Sequence, residues 1–277
     1  MTAPVTLLFF GDVVGRAGRK ALCAKLPELK AQYKERNRGP VAVIVNGENS
    51  ANGSGITRKI ADQIFQAGAD VITTGDHFFR NSEYAGCLDD RRILRPANIS
   101  PNAAGFGHGI FQIQDDSAEP LALLVFNLIG RIFMDGNDSP FDAADRILNE
   151  TRGQAKIAFL DMHCEATSEK VAMGWYMDGK ISAVVGTHTH IQTADERILP
   201  GGTAYLTDAG MCGPYDSVIG RQVEPVLKKF RTGMPARFDV AENNVILCGA
   251  AITVERSSGL ALSIERIKLP VALIAGT

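Results

Sequence analysis

VTLLFFGDVVGRAGRKALCAKLPELKAQYKERNRGPVAVIVN, residues 5–46, decides the class of fold. An apolar run at 5–10 precedes a helical stretch at 17–36 and a second apolar run at 41–46. Short continuous apolar runs rich in Val, Ile and Phe read as buried strands, and apolar positions recurring every three or four residues read as an amphipathic helix. A strand, a helix and a strand in that order form a crossover unit with parallel strands.

Working outward, the same order recurs. TRKIADQIFQAGA (57–69) has helical spacing with Thr57 as N-cap, and DVITTG (70–75) follows as a buried strand. After an irregular segment at 91–109 come the strands GIFQIQ (109–114) and LALLVFNLIG (121–130), then the helix PFDAADRILNETRGQ (140–154). Three more strands are expected at 156–163, 181–188 and 202–210, and a closing hairpin at 243–269 turns at Ser257, Ser258 and Gly259. The pattern is mixed α/β with parallel crossovers and some antiparallel pairing. No Pro/Ser-rich linker or repeat divides it, so residues 1–277 are expected to form one domain.

Composition narrows the function. With 45% apolar and 22% charged residues the chain reads as soluble and globular. A formal charge of −2 provides no long-range field for nucleic acid or an acidic membrane. The basic cluster LKKFRTGMPAR (227–237) reads as a solvated face. Five scattered cysteines without a Cys-x-x-Cys pair read as free thiols in a reducing compartment. No run approaches the roughly 18 apolar residues needed to span a bilayer, and the opening lacks a basic leader. A cytoplasmic protein is expected, without a membrane partner and without nucleic acid as a stable partner.

The residues at the C-terminal ends of the strands carry the chemistry, because that edge is where open α/β sheets place their sites. Gly11-Asp12 follows the first strand, Glu48 and Asn49 the second, and Gly75-Asp76-His77 the third. His163 ends KIAFLDMH, and His188 and His190 follow ISAVV. Singly, each has an ordinary explanation as a cap, a polar loop or a satisfied core residue. Together, four of the five histidines and three acids fall at one topological position. Three clustered carboxylates repel one another unless cations neutralise them. Oxygen and imidazole donors without a thiolate suit manganese, iron or zinc, and their number suits two ions sharing a carboxylate, roughly 3.5 to 4 Å apart. Alternation along an extended segment is expected to point His188 and His190 the same way. Cys164 is expected to face away and pack.

The order Asp12, Glu48-Asn49, Gly75-Asp76-His77, His163 and Gly186-Thr187-His188-Thr189-His190 resembles the calcineurin-like metallophosphoesterase superfamily. GDVVGRAGR, NGENSANGSGIT, RPANI, HCEATSEK and GTHTHIQTADERILPGGTAYLTDAGMCGPYDSVIG resemble its YmdB-like bacterial branch more closely. The resemblance implies a four-layer αββα sandwich of two mixed sheets flanked by helices, and a binuclear metal centre. It also implies phosphodiesterase activity on cyclic nucleotides, the 2′,3′-cyclic ones preferred. Asp12, Glu48, Asn49 and His190 would hold one ion, and Glu48, Asp76, His163 and His188 the other. A hydroxide between the ions would attack phosphorus, with His77 as general acid. The family usually has Asn where this chain has Asp76, and RPANI lacks the aromatic and proline expected after Asn98. Arg95 and Arg131 read as ordinary loop or surface arginines, with phosphate contact as the alternative. Gly53 and Gly55 serve either close substrate approach or a turn. The expected partner is a small phosphodiester, and the expected assembly a homo-oligomer. Two rival functions stand beside this one, a phosphomonoesterase or nucleotidase, and a non-catalytic metal- or nucleotide-binding regulator. His77 separates the last, which needs no acid beside its metals.

Overall fold

The computed structural model describes residues 3–100, 102–113, 121–134 and 137–272. In chain order the strands are β1 (Val5–Phe10), β2 (Asp12–Val13), β3 (Val41–Asn46), β4 (Val71–Thr73), β5 (Ile93–Leu94), β6 (His108–Ile113) and β7 (Leu121–Ile129). They continue with β8 (Ile157–His163), β9 (Ala183–Thr187), β10 (Arg197–Ile198), β11 (Ala204–Leu206), β12 (Met211–Pro214), β13 (Val245–Val254) and β14 (Ala261–Val271). The helices are α1 (Gly15–Asn37), α2 (Arg58–Gln66), α3 (Pro140–Glu150), α4 (Thr167–Met177) and α5 (Val223–Thr232).

Among the described residues the strands form two mixed sheets. The first runs β2-β12-β13-β1-β3-β4-β5 with β14 on β13, and the second runs β10-β11-β9-β8-β7-β6. The strands β1, β3, β4 and β5 are parallel, as are β7, β8, β9 and β11. Alternation along β1 explains the layering. Leu8 and Phe10 face Leu22 and Leu26 of α1 and Ile64 of α2, whereas Val5, Leu7 and Phe9 face the second sheet. Phe9 meets Phe159 across the gap with ring centroids 4.9 Å apart. On the far side, Leu160, Met162 and Val184 pack with Ala144 and Ile147 of α3 and Met173 of α4. The result is helix, sheet, sheet, helix, as the family resemblance implies. Truncating a residue such as Phe9 to Ala should cost about 3–5 kcal/mol.

Near the strand ends the space between the sheets turns polar. Asp161 on β8 accepts from Asn46 Nδ2 (2.9 Å) and Thr73 Oγ1 (2.5 Å) of the first sheet and from Thr187 Oγ1 (2.7 Å) of its own. Asn127 Nδ2 donates to Thr74 O at 2.6 Å. These bonds fix the two sheet edges against each other below the functional loops. The Thr57 side chain caps α2, and the final hairpin pairs Val245 with Val271 and reverses through Gly259 at φ 76°. Gln114, the last residue of the expected strand at 109–114, lies outside the described residues. Among the described residues, no helix is long and apolar enough to cross a membrane.

Candidate metal centre

The five strand ends β1, β3, β4, β8 and β9 bring their polar residues to one cleft between the sheets. One donor atom each from Glu48, Asp76, His163 and His188 lies within 4.8 Å of the others. His163 Nε2 stands 3.3 Å from Glu48 Oε2, 3.2 Å from Asp76 Oδ1 and 3.0 Å from His188 Nδ1. Beside this group, His190 Nε2 lies 3.8 Å from Asp12 Oδ1 and 3.1 Å from Asn49 Nδ2, which also donates to Glu48 Oε1 at 2.8 Å. Glu48 therefore faces both groups, with one oxygen toward each.

Hydrogen-bond direction shows which ring nitrogens carry lone pairs. Thr187 Oγ1 gives its proton to Asp161, so at 2.9 Å it accepts from His163 Nδ1. Burial holds the His163 imidazole below its usual pKa, so the ring is neutral and its Nε2 is bare toward two carboxylates. His188 Nε2 lies 3.2 Å from Glu165 Oε2, leaving Nδ1 to the cluster. His190 Nδ1 donates to Ile219 O at 3.0 Å, leaving Nε2. Each inner nitrogen is thus aimed by the bond its outer nitrogen makes, as metal-binding imidazoles usually are.

The electrostatics ask for positive charge. Burial, together with Asp12 and Asp76, pushes the Glu48 carboxyl well above the ordinary range. Burial would lower His188, but Asp76, Asp12 and Glu165 together outweigh it and raise the imidazole, so the cluster attracts a proton when it has no other cation. Asp12 Oδ1 is buried with no hydrogen-bond partner. An orphaned carboxylate oxygen and converging lone pairs without shared protons are costly in a dry cleft, and cations would satisfy them. The residues present fit bound metal. Gly75 leaves the room, since a Cβ there would lie 2.1 Å from Glu48 Oε2 and 2.3 Å from His163 Nε2.

His77 sits at the cleft mouth with its side chain 20% exposed. Its Nδ1 bonds Asn49 Oδ1 at 2.8 Å and its Nε2 lies 3.3 Å from Asp76 Oδ2. Burial pushes the ring down to about 4, against the pull of Asp76. Asn49 turns its amide nitrogen toward Glu48 and His190, where a metal ligand would present oxygen. A half-turn of the amide exchanges the two atoms without moving the side chain.

The matching family model is that of the YmdB-like protein, over residues 8–267. The chain belongs to the YmdB-like family. It is 46% identical to the 2′,3′-cyclic-nucleotide 2′-phosphodiesterase of Bacillus subtilis strain 168, over 94% of this chain and 96% of that one. A crystal structure of a Thermus thermophilus protein superposes with TM-score 0.86 at 36% identity, over 96% of this chain and 99% of that one. A Mycoplasma pneumoniae phosphatase superposes with TM-score 0.86 at 31% identity, over 98% and 95%.

The structure corrects one reading of this YmdB-like sequence and decides two that stood open. The strand β9 ends at Thr187, and His188 and His190 have φ of 94° and 67°, so a left-handed turn, not strand alternation, aims them. Arg95 donates to the carbonyls of Pro96, Ala103 and Ala104 from all three of its side-chain nitrogens and is buried, so it holds its own loop. Gly53, at φ 82°, lies against the Arg221 guanidinium, where a Cβ would be 2.7 Å from Nη1, and Arg221 Nη2 donates to Gly53 O. The glycine loop is a turn clamped by Arg221. Arg131 is exposed on the second sheet's edge. Cys164 packs on the helix side of the second sheet, as expected. Sequence reasoning missed the outer partners Asp161, Thr187 and Glu165. The signal was local only for Glu165, which lies in HCEATSEK.

Proposed function

We propose that this chain is a metal-dependent phosphodiesterase that opens 2′,3′-cyclic nucleotides at the 2′ bond, leaving a 3′-monophosphate. The convergence of lone pairs on one buried point carries the reading, and the 46% identity to the Bacillus subtilis enzyme supports the substrate class. In this reading Asp12, Asn49 and His190 would hold one ion and Asp76, His163 and His188 the other, with Glu48 contributing to both. Iron or manganese suits the donors best, with zinc next. When bound, the ions supply a water that ionises near neutral pH and offset charge on the phosphoryl oxygens.

The chain's own residues do the rest. The polar seam below the cleft fixes the distance between the two sets of donors. His77, outside both sets, protonates the departing alkoxide. Burial holds the ring down to about 4, so it is neutral near pH 7 and would take up its proton only as an arriving phosphate anion raises its proton affinity. The five unpaired thiols support a reducing, cytoplasmic setting.

The test is to reconstitute the protein with Mn or Fe and follow phosphorus NMR with 2′,3′-cyclic, 3′,5′-cyclic and monoester nucleotides. Ring opening to the 3′-monophosphate with about two equivalents of metal is expected. Preference for monoesters would move the chain to the phosphatase activity named for its Mycoplasma relative. A metal content near zero after supplementation would defeat the site assignment.

A further inference from the structure

Outside the donor cluster, α4 and the loop after β11 meet in a buried ion pair. Lys170 Nζ lies 2.6 Å from Asp208 Oδ2, and each side chain is 1% exposed. Such a pair adds little stability over apolar residues of the same volume, because desolvating two charges offsets their attraction. Its other contacts show what it holds. Asp208 Oδ2 also accepts from the Thr189 amide at 3.2 Å and from Thr189 Oγ1 at 2.8 Å, while Oδ1 accepts from the Gly210 amide at 2.8 Å. A carboxylate is an acceptor only, so it takes these donors at once, and Lys170 balances its charge where water does not reach. The lysine stem crosses Gly186, where a Cβ would lie 2.8 Å from Lys170 Cδ.

Thr189 is the residue between His188 and His190, both at positive φ. Side chains with a Cβ avoid that region, and such a turn persists only where its surroundings over-determine it. We propose that the Lys170–Asp208 pair is the positioning device that locks the His188–Thr189–His190 turn, and with it the separation of two histidines that serve different ions. The consequence for metal rests on the ligand assignment above, but the turn is observable without metal. Lys170 and Asp208 act through Thr189, and neither is a metal donor.

Lys170→Met/Asp208→Leu removes both charges together, which buried pairs tolerate better than the loss of one partner. Three measurements are made on the full chain, namely the melting temperature, amide exchange of Thr189 in metal-free protein by NMR, and Mn binding by calorimetry. We expect melting lowered by several degrees but still cooperative, because the Thr189 and Gly210 donors lose their acceptor. Thr189 exchange should accelerate well beyond that of the β9 amides, and Mn affinity should weaken about 10- to 100-fold. Thr189→Val, which deletes only the hydroxyl donor, should move affinity less in the same direction, and it decides alone if the double variant does not fold. Native exchange with Mn affinity within about twofold of the unaltered protein would overturn the inference. So would exchange accelerated equally at Thr189 and along β9, which would reduce the pair to general support of the sheet. If the unaltered protein binds no Mn while Thr189 responds as expected, the ligand assignment fails and the locked turn stands.

Discussion

The wall built by the first sheet presents carboxylates and an amide, whereas the wall built by the second presents imidazoles. Asp12, Glu48 and Asp76 bring negative charge to the ends of β1, β3 and β4, and Asp12 keeps one oxygen without a partner. His163, His188 and His190 each hand the outer nitrogen to a partner, Thr187, Glu165 or Ile219 O. In the proposed metal site, one wall would set how strongly a cation is attracted, and the other where it sits. Charge is a property of residue type and is readable from sequence. Direction depends on partners that are distant in the chain.

The comparison can be broken most forcefully at Glu48, the residue facing both groups. Glu48→Gln should empty both sites and lower kcat by about 10³-fold or more, since charge stabilisation by metal is worth several kcal/mol. Metal analysis that finds one site still filled would show that Glu48 does not bridge. Asn49→Ala should weaken one site only. His77 belongs to the first wall but is not a donor, so His77→Ala should keep its metal and lose roughly 10²- to 10⁴-fold in rate. Parallel loss of metal and rate would make it a ligand.

On the imidazole wall, Thr187→Val deletes the group that fixes the His163 tautomer, and should weaken metal binding about 10- to 100-fold with every donor intact. An unchanged affinity would mean that the ring needs no outer partner. The smallest effect is expected at Asp76. Two divalent ions carry four positive charges against three negative ones from Asp12, Glu48 and Asp76, so Asp76→Asn leaves the loaded site more positive and the second ion more weakly held, by about tenfold. The sign can be checked without metal. Asp76 raises the His188 pKa, so the variant imidazole should titrate at lower pH than in the unaltered protein. A histidine NMR titration that shows no downward shift would remove Asp76 from that role.

What the sequence made legible follows from the same division. The helices at 17–36 and 57–69 and the hairpin turn at Ser257 to Gly259 are local patterns, and α1, α2 and the β13–β14 hairpin form there. By contrast, α4 carries no readable signal. Its N-cap Ala166 has no capping side chain, its apolar residues are not confined to one face, and Gly174 sits where a Cβ would lie 2.5 Å from the Tyr205 ring. The basic cluster at 227–237 was legible as a solvated face, but not that its residues 227–232 form the second half of α5, which buries only Val226. In the cleft, the strand-end residues could be read because strands deliver them in order. The turn at His188 could not, because Asp208 and Lys170, which bracket it from another loop and another helix, leave no local mark.

Gly75 gives the cleft a useful weakness. A single methyl group there would meet Glu48 Oε2 at 2.1 Å and His163 Nε2 at 2.3 Å, so it would push these two side chains apart. Gly75→Ala is therefore a wedge between two of the proposed ligands, and it separates recognition from turnover. Nucleotide that still binds the wedged protein in equilibrium dialysis is held by the outer surface of the cleft, and nucleotide that no longer binds depends on the proposed metal site.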